Sequence, residues 1–528
     1  MSGDAGTTYE QIGDEPRPDR RPSRGWSVLT VVAVVVAVLA GGSAFAVYKL
    51  FAAEGAQPAE ALPASTIAVV SVDLDPSAGQ KIEAIRTLRK FPAFKEKVGL
   101  DAQDDLRRFF FDKLVEEGDC SGLSFADDIE PWLGKRAAFG AVDLGGDVPT
   151  PVLALQVSDA DGARAGFDKV AGCADTGEDF GYVVTDDYLV ASDSEANAKK
   201  IVAQAAKGTL AEDAAYQRWT DEAGDPGVLN VYVAEAAKDV LAKGIEEFDD
   251  GVAEGFTGGV DPELLSDRLD TFGGLAATLR FADGGMELAF AGEGVDQYVG
   301  SGGVGPQVGD LPADTVAVLA FSVPDDFVAT LLDQLHAAVG DELDSGIAEF
   351  EAETGLSVPD DVQALLGDAL SISLGSDAPA SLNDVQSPAD VPFGLLISGD
   401  ADRVDGVIGK LEQSAGTTLE DLEVAHRKGD GKVVLASSDE YADALLKDGS
   451  LADNKAFAAA VPEADKALGV LFVDFDTDWI DAIAQAYSDD TGEDASDISA
   501  NLEPLDALGI SAWEEGKVSH GLLKVTTD

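Results

Sequence analysis

Acidic residues from Asp474 to Asp478 alternate in the manner of a calcium-binding loop. An EF-hand loop needs glycine at its sixth position and a bidentate glutamate at its twelfth. The chain has Trp479 and Gln485 at those positions, and a neutral amide cannot replace the missing carboxylate. The spacing therefore excludes an EF-hand, whereas looser calcium binding by these aspartates, or by Asp73 and Asp75, stays open.

A second acidic pattern, Asp-Ala-Asp, occurs twice, at 159–161 and at 400–402. Each copy follows a predicted strand and begins a predicted helix, where a carboxylate can accept hydrogen bonds from free backbone amides. Two carboxylates held together can also act as a general acid and base in a hydrolase. We interpret both copies as helix caps and keep the paired-carboxylate chemistry as an alternative.

The three histidines, His336, His426 and His520, show no spacing that is typical of a metal site, which favours solvated or packed side chains. A formal dinucleotide fingerprint, Gly300-x-Gly302-x-x-Gly305, has Pro306 and further glycine after it, where a helix is required. Motifs of serine hydrolases, zinc proteases and phosphate-binding loops are absent from the sequence. The residue patterns thus predict no catalytic residue, no metal ligand and no cofactor.

An uncharged segment of twenty-three residues, Trp26 to Tyr48, follows four arginines between positions 17 and 24. An apolar helix of this length spans the ~30 Å hydrocarbon core, and arginines on its entry side favour the cytoplasm. We therefore predict a single-pass cell membrane protein with a transmembrane helix at 26–48, a disordered cytoplasmic tail at 1–25 and an extracytoplasmic remainder. The alternative is a cleaved signal peptide, because Ala44-Phe45-Ala46 suits signal peptidase, although the apolar run continues past it.

The 528-residue chain is strongly acidic, with 99 Asp and Glu against 36 Lys and Arg and a net charge of -63. Such a surface repels phosphate backbones, because affinity for nucleic acid depends mainly on cationic contacts. Hydrophobic residues make up 45% of the chain, which is enough for a sizeable core. The composition excludes nucleic acid as a general partner and leaves open whether the acidic surface is only hydrated or binds cations.

The two cysteines of the sequence, Cys120 and Cys173, both lie in the part that is predicted to be extracytoplasmic. A lone pair in an oxidising compartment favours a disulfide, which would close a loop of about 54 residues and stabilise the fold by ~4 kcal/mol. A metal site or a catalytic thiol is the alternative, but no histidine occurs before position 336. We predict a disulfide between Cys120 and Cys173.

One short segment opposes the overall charge, because positions 81–98 hold six cations and two glutamates, a net of +4. These cations either pair with the acidic surface of their own protein or contact anionic lipid headgroups or acidic wall polymers. Each cation can contribute up to ~1 kcal/mol near a charged membrane surface. We name the six cations the basic segment: Lys81, Arg86, Arg89, Lys90, Lys95 and Lys97.

Hydrophobic periods alternate between two and about 3.6 along the exported region, and the strand pairs at 181–192 and 275–291 have connections short enough for hairpins. Segments such as Leu62–Val69 and Leu311–Val318 recur in the same order at an offset of about 240 residues. The predicted fold class is α+β, with a single N-terminal transmembrane helix followed by two tandem homologous α+β units with largely antiparallel sheets. The predicted boundaries are a linker at 49–61, repeat 1 at 62–293, a Gly-rich linker at 294–310 and repeat 2 at 311–528.

The run from Leu62 to Pro76, followed by Gln80-Lys81 and by Leu88 to Lys95, resembles the family known as domain of unknown function 3352. The resemblance covers most of the exported region and is most specific over 62–97. It implies an uncharacterised, membrane-anchored envelope protein of the kind found in high-GC Gram-positive bacteria. It implies no activity and no catalytic residue.

Taken with the residue patterns, this resemblance favours an envelope protein whose acidic, noncatalytic ectodomain serves in binding or in structure. The alternative function is a carboxylate- or metal-dependent hydrolase that acts on envelope material. The predicted partners are the membrane, through one span, and anionic headgroups or wall polymers, through the basic segment. Protein partners are left open.

Overall fold

Alternation of inward-facing and outward-facing residues, as in Thr66–Asp73, produces the strands that dominate this computed structural model. Helices with one apolar side, such as Ala401–Ala415, connect and cover these strands. The structure describes residues 57–73, 78–97, 105, 107–108, 111–112, 115, 122–146, 148–173, 181–240, 271–282, 284–294, 302–377, 385, 387–477, 479–492 and 494–528.

Strands and α-helices of the described residues are numbered here in chain order. The strands are β1 (Thr66–Asp73), β2 (Leu133–Val142), β3 (Thr150–Val157), β4 (Gly181–Val184), β5 (Tyr188–Ser192), β6 (Leu229–Ala234), β7 (Gly274–Ala282), β8 (Gly285–Glu293), β9 (Thr315–Ser322), β10 (Ala369–Gly375), β11 (Phe393–Ser398), β12 (Ala425–Gly429), β13 (Lys432–Ala436), β14 (Gly469–Asp474), β15 (Leu505–Glu515) and β16 (Val518–Thr527). The helices are α1 (Ala78–Leu88), α2 (Pro92–Lys97), α3 (Ala160–Cys173), α4 (Glu195–Ala205), α5 (Ala214–Glu222), α6 (Gly305–Gly309), α7 (Phe327–Val339), α8 (Asp341–Thr354), α9 (Asp360–Leu366), α10 (Ala401–Ala415), α11 (Asp439–Leu446), α12 (Lys455–Ala460), α13 (Trp479–Thr491) and α14 (Ala495–Leu502).

All sixteen of these strands form a single sheet, in the order β12-β13-β11-β10-β9-β14-β15-β16-β8-β7-β6-β1-β2-β3-β5-β4. Each strand is antiparallel to its neighbours. Strands β1–β8 fill one half of the sheet and β9–β16 fill the other. The predicted fold class of two tandem units, 62–293 and 311–528, each with its own sheet, is wrong, because one ladder of backbone hydrogen bonds runs through both halves.

The central pair, β8 and β16, joins the halves through seven paired positions, from Ser519 opposite Gly292 to Val525 opposite Met286. Gly521 is opposite Phe290, and a Cβ atom at Gly521 would lie 1.8 Å from Cε1 of Phe290. The phenylalanine ring thus occupies the space above this strand position. Glycine at 521 lets β8 and β16 pair with the ring in place.

Helices cover both faces of the sheet. Successive strand residues point to opposite faces, so each strand contributes side chains to the packing on both. On the first face, Val69 packs in one core with Trp219 of α5 and with residues of α4. On the second face, Val231 packs with Ala84 of α1. In the other half, α6, α11 and α12 cover the first face and α10 covers the second.

The end of the predicted Gly-rich linker belongs to the core of the second half. Val304 and Val308, at either end of the first turn of α6, are fully buried, and the Val304 amide donates to the Ala467 carbonyl at 2.8 Å. The described part of this segment is therefore fixed by packing, whereas the sequence predicted a linker. Residues 295–301 lie outside the described residues.

The predicted fold class included a transmembrane helix, and this also needs correction. None of the helices in the described part of the chain is long and apolar enough to cross a bilayer. The segment that led to the prediction, Trp26–Tyr48, lies outside the described residues. The architecture that the structure supports is the large antiparallel sheet with its helices.

A buried ion pair links β1 to β2. Asp73 and Arg136 are opposite one another in the two strands, and Arg136 Nε donates to Asp73 Oδ2 at 2.8 Å with both side chains buried. The corresponding positions of β9 and β10 hold Ser322 and Ala369, which carry no charge. Removing one partner of a buried ion pair leaves an uncompensated charge, whereas removing both can cost little.

We predict that Arg136→Ala lowers the free energy of unfolding of the full chain by about 3–5 kcal/mol, because Asp73 is left buried without its partner. The double variant Asp73→Ser/Arg136→Ala, which copies the Ser322 and Ala369 pair, should recover a large part of that loss. Urea unfolding followed by circular dichroism measures both. Arg164→Ala, which breaks an exposed pair, should cost less than about 1 kcal/mol and serves as the control. Equal losses in the single and double variants would contradict the prediction.

Candidate functional site

The cations of the basic segment lie on and between two short helices, α1 and α2, on the second face of the sheet. α1 packs on β7 and β8 through Ala84, which is fully buried, while Arg86 and Arg89 are exposed. α2 begins at Pro92 and packs beside α14 of the other half. The segment therefore lies across the line where the two halves of the sheet meet.

Four hydrogen bonds hold the segment at this line. Gln80 Oε1 accepts from the Phe281 amide at 3.2 Å. Lys90 Nζ donates to Oγ1 of Thr527 at 2.7 Å and to its carbonyl oxygen at 3.1 Å, and Asn501 Oδ1 accepts from the Ala93 amide at 2.9 Å. One cation of the predicted set, Lys90, is thus used to attach the first half of the chain to the second.

The remaining cations of the basic segment divide into two groups. Arg86, Arg89 and Lys95 are exposed, and Arg86 pairs with Glu83 one turn away at 2.6 Å. The side chains of Lys81 and Lys97 lie outside the described residues. The surface that could meet an anionic ligand therefore consists of three exposed cations, which we call the cationic surface: Arg86, Arg89 and Lys95.

Two lysines further along the chain hold carboxylates, and sequence reasoning did not find their partners. Lys410 Nζ donates to Asp361 Oδ2 at 2.7 Å, and the same oxygen accepts from the Ser357 amide at 2.8 Å. In the first half, Lys169 and the Ser124 amide bind Asp128 in the same way. A signal was present in the sequence, since each aspartate is four residues after the serine and each lysine is ten residues after the first aspartate of an Asp-Ala-Asp motif.

These contacts change the acidity of both aspartates. The lysine hydrogen bond, followed by the serine amide, lowers the pKa of Asp361 below its ordinary value, and the same two contacts lower the pKa of Asp128. Each carboxylate is partly shielded from solvent, whereas about half of its lysine is exposed. The arrangement keeps the carboxylates ionised and ties α3 to the helical turn Phe125–Ile129 before β2, and α10 to α9 before β10.

The Asp-Ala-Asp motifs lie at helix starts, as predicted. Asp400 caps α10 by accepting from the Arg403 amide at 3.1 Å, and Asp159 accepts from the Asp161 amide at 3.2 Å. The two carboxylates are thus bonded to the backbone of their own helices. The hydrolase alternative rested on these residues, and their geometry is that of caps.

The three histidines occupy separate places in the structure. His520 of β16 is buried and stacks on Trp513 of β15, with ring centroids 5.3 Å apart. Its Nε2 lies 3.8 Å from Oε2 of Glu222, beyond hydrogen-bonding distance. His336 and His426 lie 3.5 Å and 3.4 Å from single aspartates, Asp344 and Asp405. One histidine is therefore packed in the core and the other two face carboxylates on the surface.

The family comparison can be set against this geometry. A family model described as protein of unknown function (DUF3352) matches residues 29–470. The chain belongs to the DUF3352 family. No match was found among curated proteins or among solved structures.

In this DUF3352 member, the acidic run at Asp474 lies at the end of β14. Asp474 Oδ1 accepts from the Asp476 amide, and burial raises the pKa of Asp474, with Asp506 and Asp476 adding to the effect. Asp73 serves the ion pair with Arg136, and Asp75 lies outside the described residues. Among the residues that the structure describes, no three His, Cys, Asp or Glu side chains converge as a metal site.

Neither the predicted disulfide nor the alternatives to it can be decided from the described residues. Cys173 is the last residue of α3, and its side chain lies outside the described part, as does all of Cys120. The Cys120–Cys173 disulfide of this DUF3352 protein stays a prediction.

We predict that Lys410→Met raises the pKa of Asp361 toward its ordinary value, because the variant removes the main group that stabilises the carboxylate. A pKa that is lower in the folded than in the unfolded chain adds stability above about pH 4, and this stability is lost as the pH falls through the folded-state pKa. The variant should therefore lose less stability than the wild type on acidification from pH 5. NMR titration of the Asp361 carboxyl carbon measures the pKa, and urea unfolding measures the stability. Lys447→Met, at an exposed lysine elsewhere, should leave the Asp361 titration unchanged.

Proposed function

We propose that this DUF3352 protein is a noncatalytic binding or structural protein of the bacterial cell envelope. In this proposal it is held at the cell membrane with its N-terminus in the cytoplasm and the sheet domain outside. The cationic surface contacts anionic headgroups or acidic wall polymers. The observation that carries the proposal is the exposure of Arg86, Arg89 and Lys95, which lie on or directly after helices attached to the second half of the sheet through Lys90.

Charge supports this use of the surface. A chain with a net charge of -63 is repelled by anionic polymers over most of its surface, so any contact with them must use a local excess of cations. The packing of α1 on β7 and β8 holds Arg86, which is on this helix, and Arg89, which directly follows it, in exposed positions. Cations that are already positioned lose less conformational entropy on binding than cations on a free tail.

Chain length supports a position near the membrane. The described fold begins at Gln57, nine residues after Tyr48, where the uncharged segment ends. Nine residues span at most ~30 Å when fully extended. Attachment of the chain to the membrane before Gln57 would thus keep the sheet domain within ~30 Å of the headgroups, from where it can approach to the ~10 Å over which cations and anionic lipids attract.

For localisation, we predict that protease added to intact protoplasts degrades a C-terminal tag on the full chain and leaves an N-terminal tag intact. The C-terminal tag is accessible because the sheet domain is outside, and the N-terminal tag is protected by the bilayer. Deletion of 26–48 should move the protein out of the membrane fraction. A cytoplasmic reporter that stays intact confirms that the protoplasts are sealed. Protection of the C-terminal tag until lysis would refute the proposed orientation.

For ligand binding, we predict that Arg86→Gln/Arg89→Gln/Lys95→Gln weakens binding of the detergent-solubilised full chain to polyglutamate and to short-chain phosphatidylglycerol by tenfold or more at low salt. Three cations at up to ~1 kcal/mol each account for an effect of this size. Isothermal titration calorimetry at two salt concentrations measures the affinity, which should fall as salt screens the contact.

The matched control removes the same number of positive charges from the first face of the sheet, in Lys199→Gln/Lys200→Gln/Lys207→Gln. This control should bind both probes as the wild type does. If the two triple variants lose affinity equally, the effect reflects net charge alone and the cationic surface is not the binding site. Loss for polyglutamate alone would assign the surface to wall polymers, and loss for the lipid alone would assign it to headgroups.

A further inference from the structure

The helical hairpin of α7 and α8 exposes large apolar side chains. Leu331 and Leu335 are one turn apart on α7 and therefore lie on the same side of the helix, and Phe350 lies on α8. Leu319 and Phe321 of β9, the strand that leads into α7, are exposed as well. Between 37% and 44% of each of these five side chains is accessible to solvent.

These residues share one side of the sheet. Phe321 is paired with Leu370 of β10, and paired residues of antiparallel strands point to the same face. Leu370 packs in one core with Val404 of α10, so Phe321 is on the face that α10 covers. α8 packs against α10 on that same face. The exposed residues of β9 and the hairpin therefore lie on the same side of the sheet.

α7 is covered differently from α1, although its first residue, Phe327, packs on the sheet core that contains Leu370. α1 follows β1 as α7 follows β9, and α1 lies on β7 and β8 with Ala84 and Ile85 buried. α7 packs on α8 and α9. Its Leu331 and Leu335 consequently keep an exposed surface that a further helix could cover.

The hairpin that carries Leu331, Leu335 and Phe350 is strongly acidic. Residues 325–354 hold nine Asp and Glu and no Lys or Arg. The exposed acids of the hairpin are Asp333, Glu342, Asp344, Glu349 and Glu353. An apolar stripe with one sign of charge at its rim selects partners of the opposite charge, because like charges across an interface cost binding energy.

We propose that the α7–α8 hairpin, with Leu319 and Phe321, is a docking surface for a cationic amphipathic helix of a partner protein. Such a helix places its apolar side against Leu331, Leu335 and Phe350, and its lysines or arginines face the surrounding carboxylates. An amphipathic helix binds such a surface through apolar residues at i, i+3, i+4 and i+7 of its own sequence, and the i, i+4 pair Leu331 and Leu335 offers it an apolar stripe of matching direction. An anionic lipid surface does not fit, because the acidic rim repels it.

The proposal does not depend on the role of the cationic surface. The docking surface and the basic segment belong to different halves of the chain and have opposite charge. Failure of either proposal leaves the other standing.

The test uses the full chain and two synthetic 18-residue Leu/Lys peptides of identical composition, one with its leucines on one side of a helix and one scrambled. We expect the amphipathic peptide to bind more tightly, as measured by fluorescence anisotropy, with an affinity that falls as salt is added. Leu331→Ser/Leu335→Ser should weaken its binding by about tenfold or more, as expected when central apolar anchors are lost. The scrambled peptide should respond little to this variant.

A matched control replaces two exposed aliphatic residues elsewhere, Val148→Ser/Leu422→Ser, and should bind the amphipathic peptide as the wild type does. Phe350→Ser provides a second variant of the docking surface with the same expected direction. Asp333→Asn/Asp344→Asn should weaken binding and reduce its salt dependence. Circular dichroism and urea unfolding confirm that each variant is folded.

Three results would overturn the proposal. The first is equal binding of the amphipathic and scrambled peptides, which would mean that charge alone attracts them. The second is wild-type affinity in both Leu331→Ser/Leu335→Ser and Phe350→Ser. The third is loss of binding to anionic phosphatidylglycerol vesicles in these variants, which would make the area a lipid contact.

Discussion

The ladder of backbone hydrogen bonds through β8 and β16 is the interaction on which the rest of the structure depends. Without it, each half of the sheet would present a long strand edge to solvent, and such edges invite pairing with other chains. With it, the described sheet ends at β4 and β12, which have four and five residues. β12 also carries Arg427 and Lys428, and short, charged edges resist further pairing. Joining the two halves thus protects the inner edge of each from pairing with other chains.

The same pairing decides where the basic segment can act. α1 lies on β7 and β8, and Lys90 reaches Thr527 at the end of β16, so the segment spans the central line of the sheet. Lys90, which the sequence alone suggests is a surface charge, therefore has a structural partner in the other half. The three exposed cations around it gain a rigid support from that attachment.

Charge is distributed unevenly, and the pairing of the few cations explains much of the pattern. Arg136 neutralises Asp73 in the core, while Lys169 and Lys410 hold Asp128 and Asp361 at the ends of helices. Residues 281–402 contain no Lys or Arg, so the carboxylates of α7 and α8 have no cation nearby in the sequence. The acidic chain thus combines carboxylates that are paired with lysine or arginine and an α7–α8 hairpin that has no lysine or arginine of its own.

Local patterns determined most of the elements. The β4–β5 and β7–β8 hairpins and the starts of α3 and α10 lie where the sequence pattern predicted them, and Asp400 caps its helix, because these features depend on neighbours within a few residues. The excess of positive charge in the basic segment was also evident from the sequence, because it needs only a count of residues. Tertiary structure decided the β8–β16 pairing, the partner of Lys90 and the burial of Val304, since these contacts join residues far apart in the chain and no local period encodes them. It also decided which apolar residues of α7 stay exposed, because an amphipathic stripe predicts that a helix side will be covered without saying what covers it.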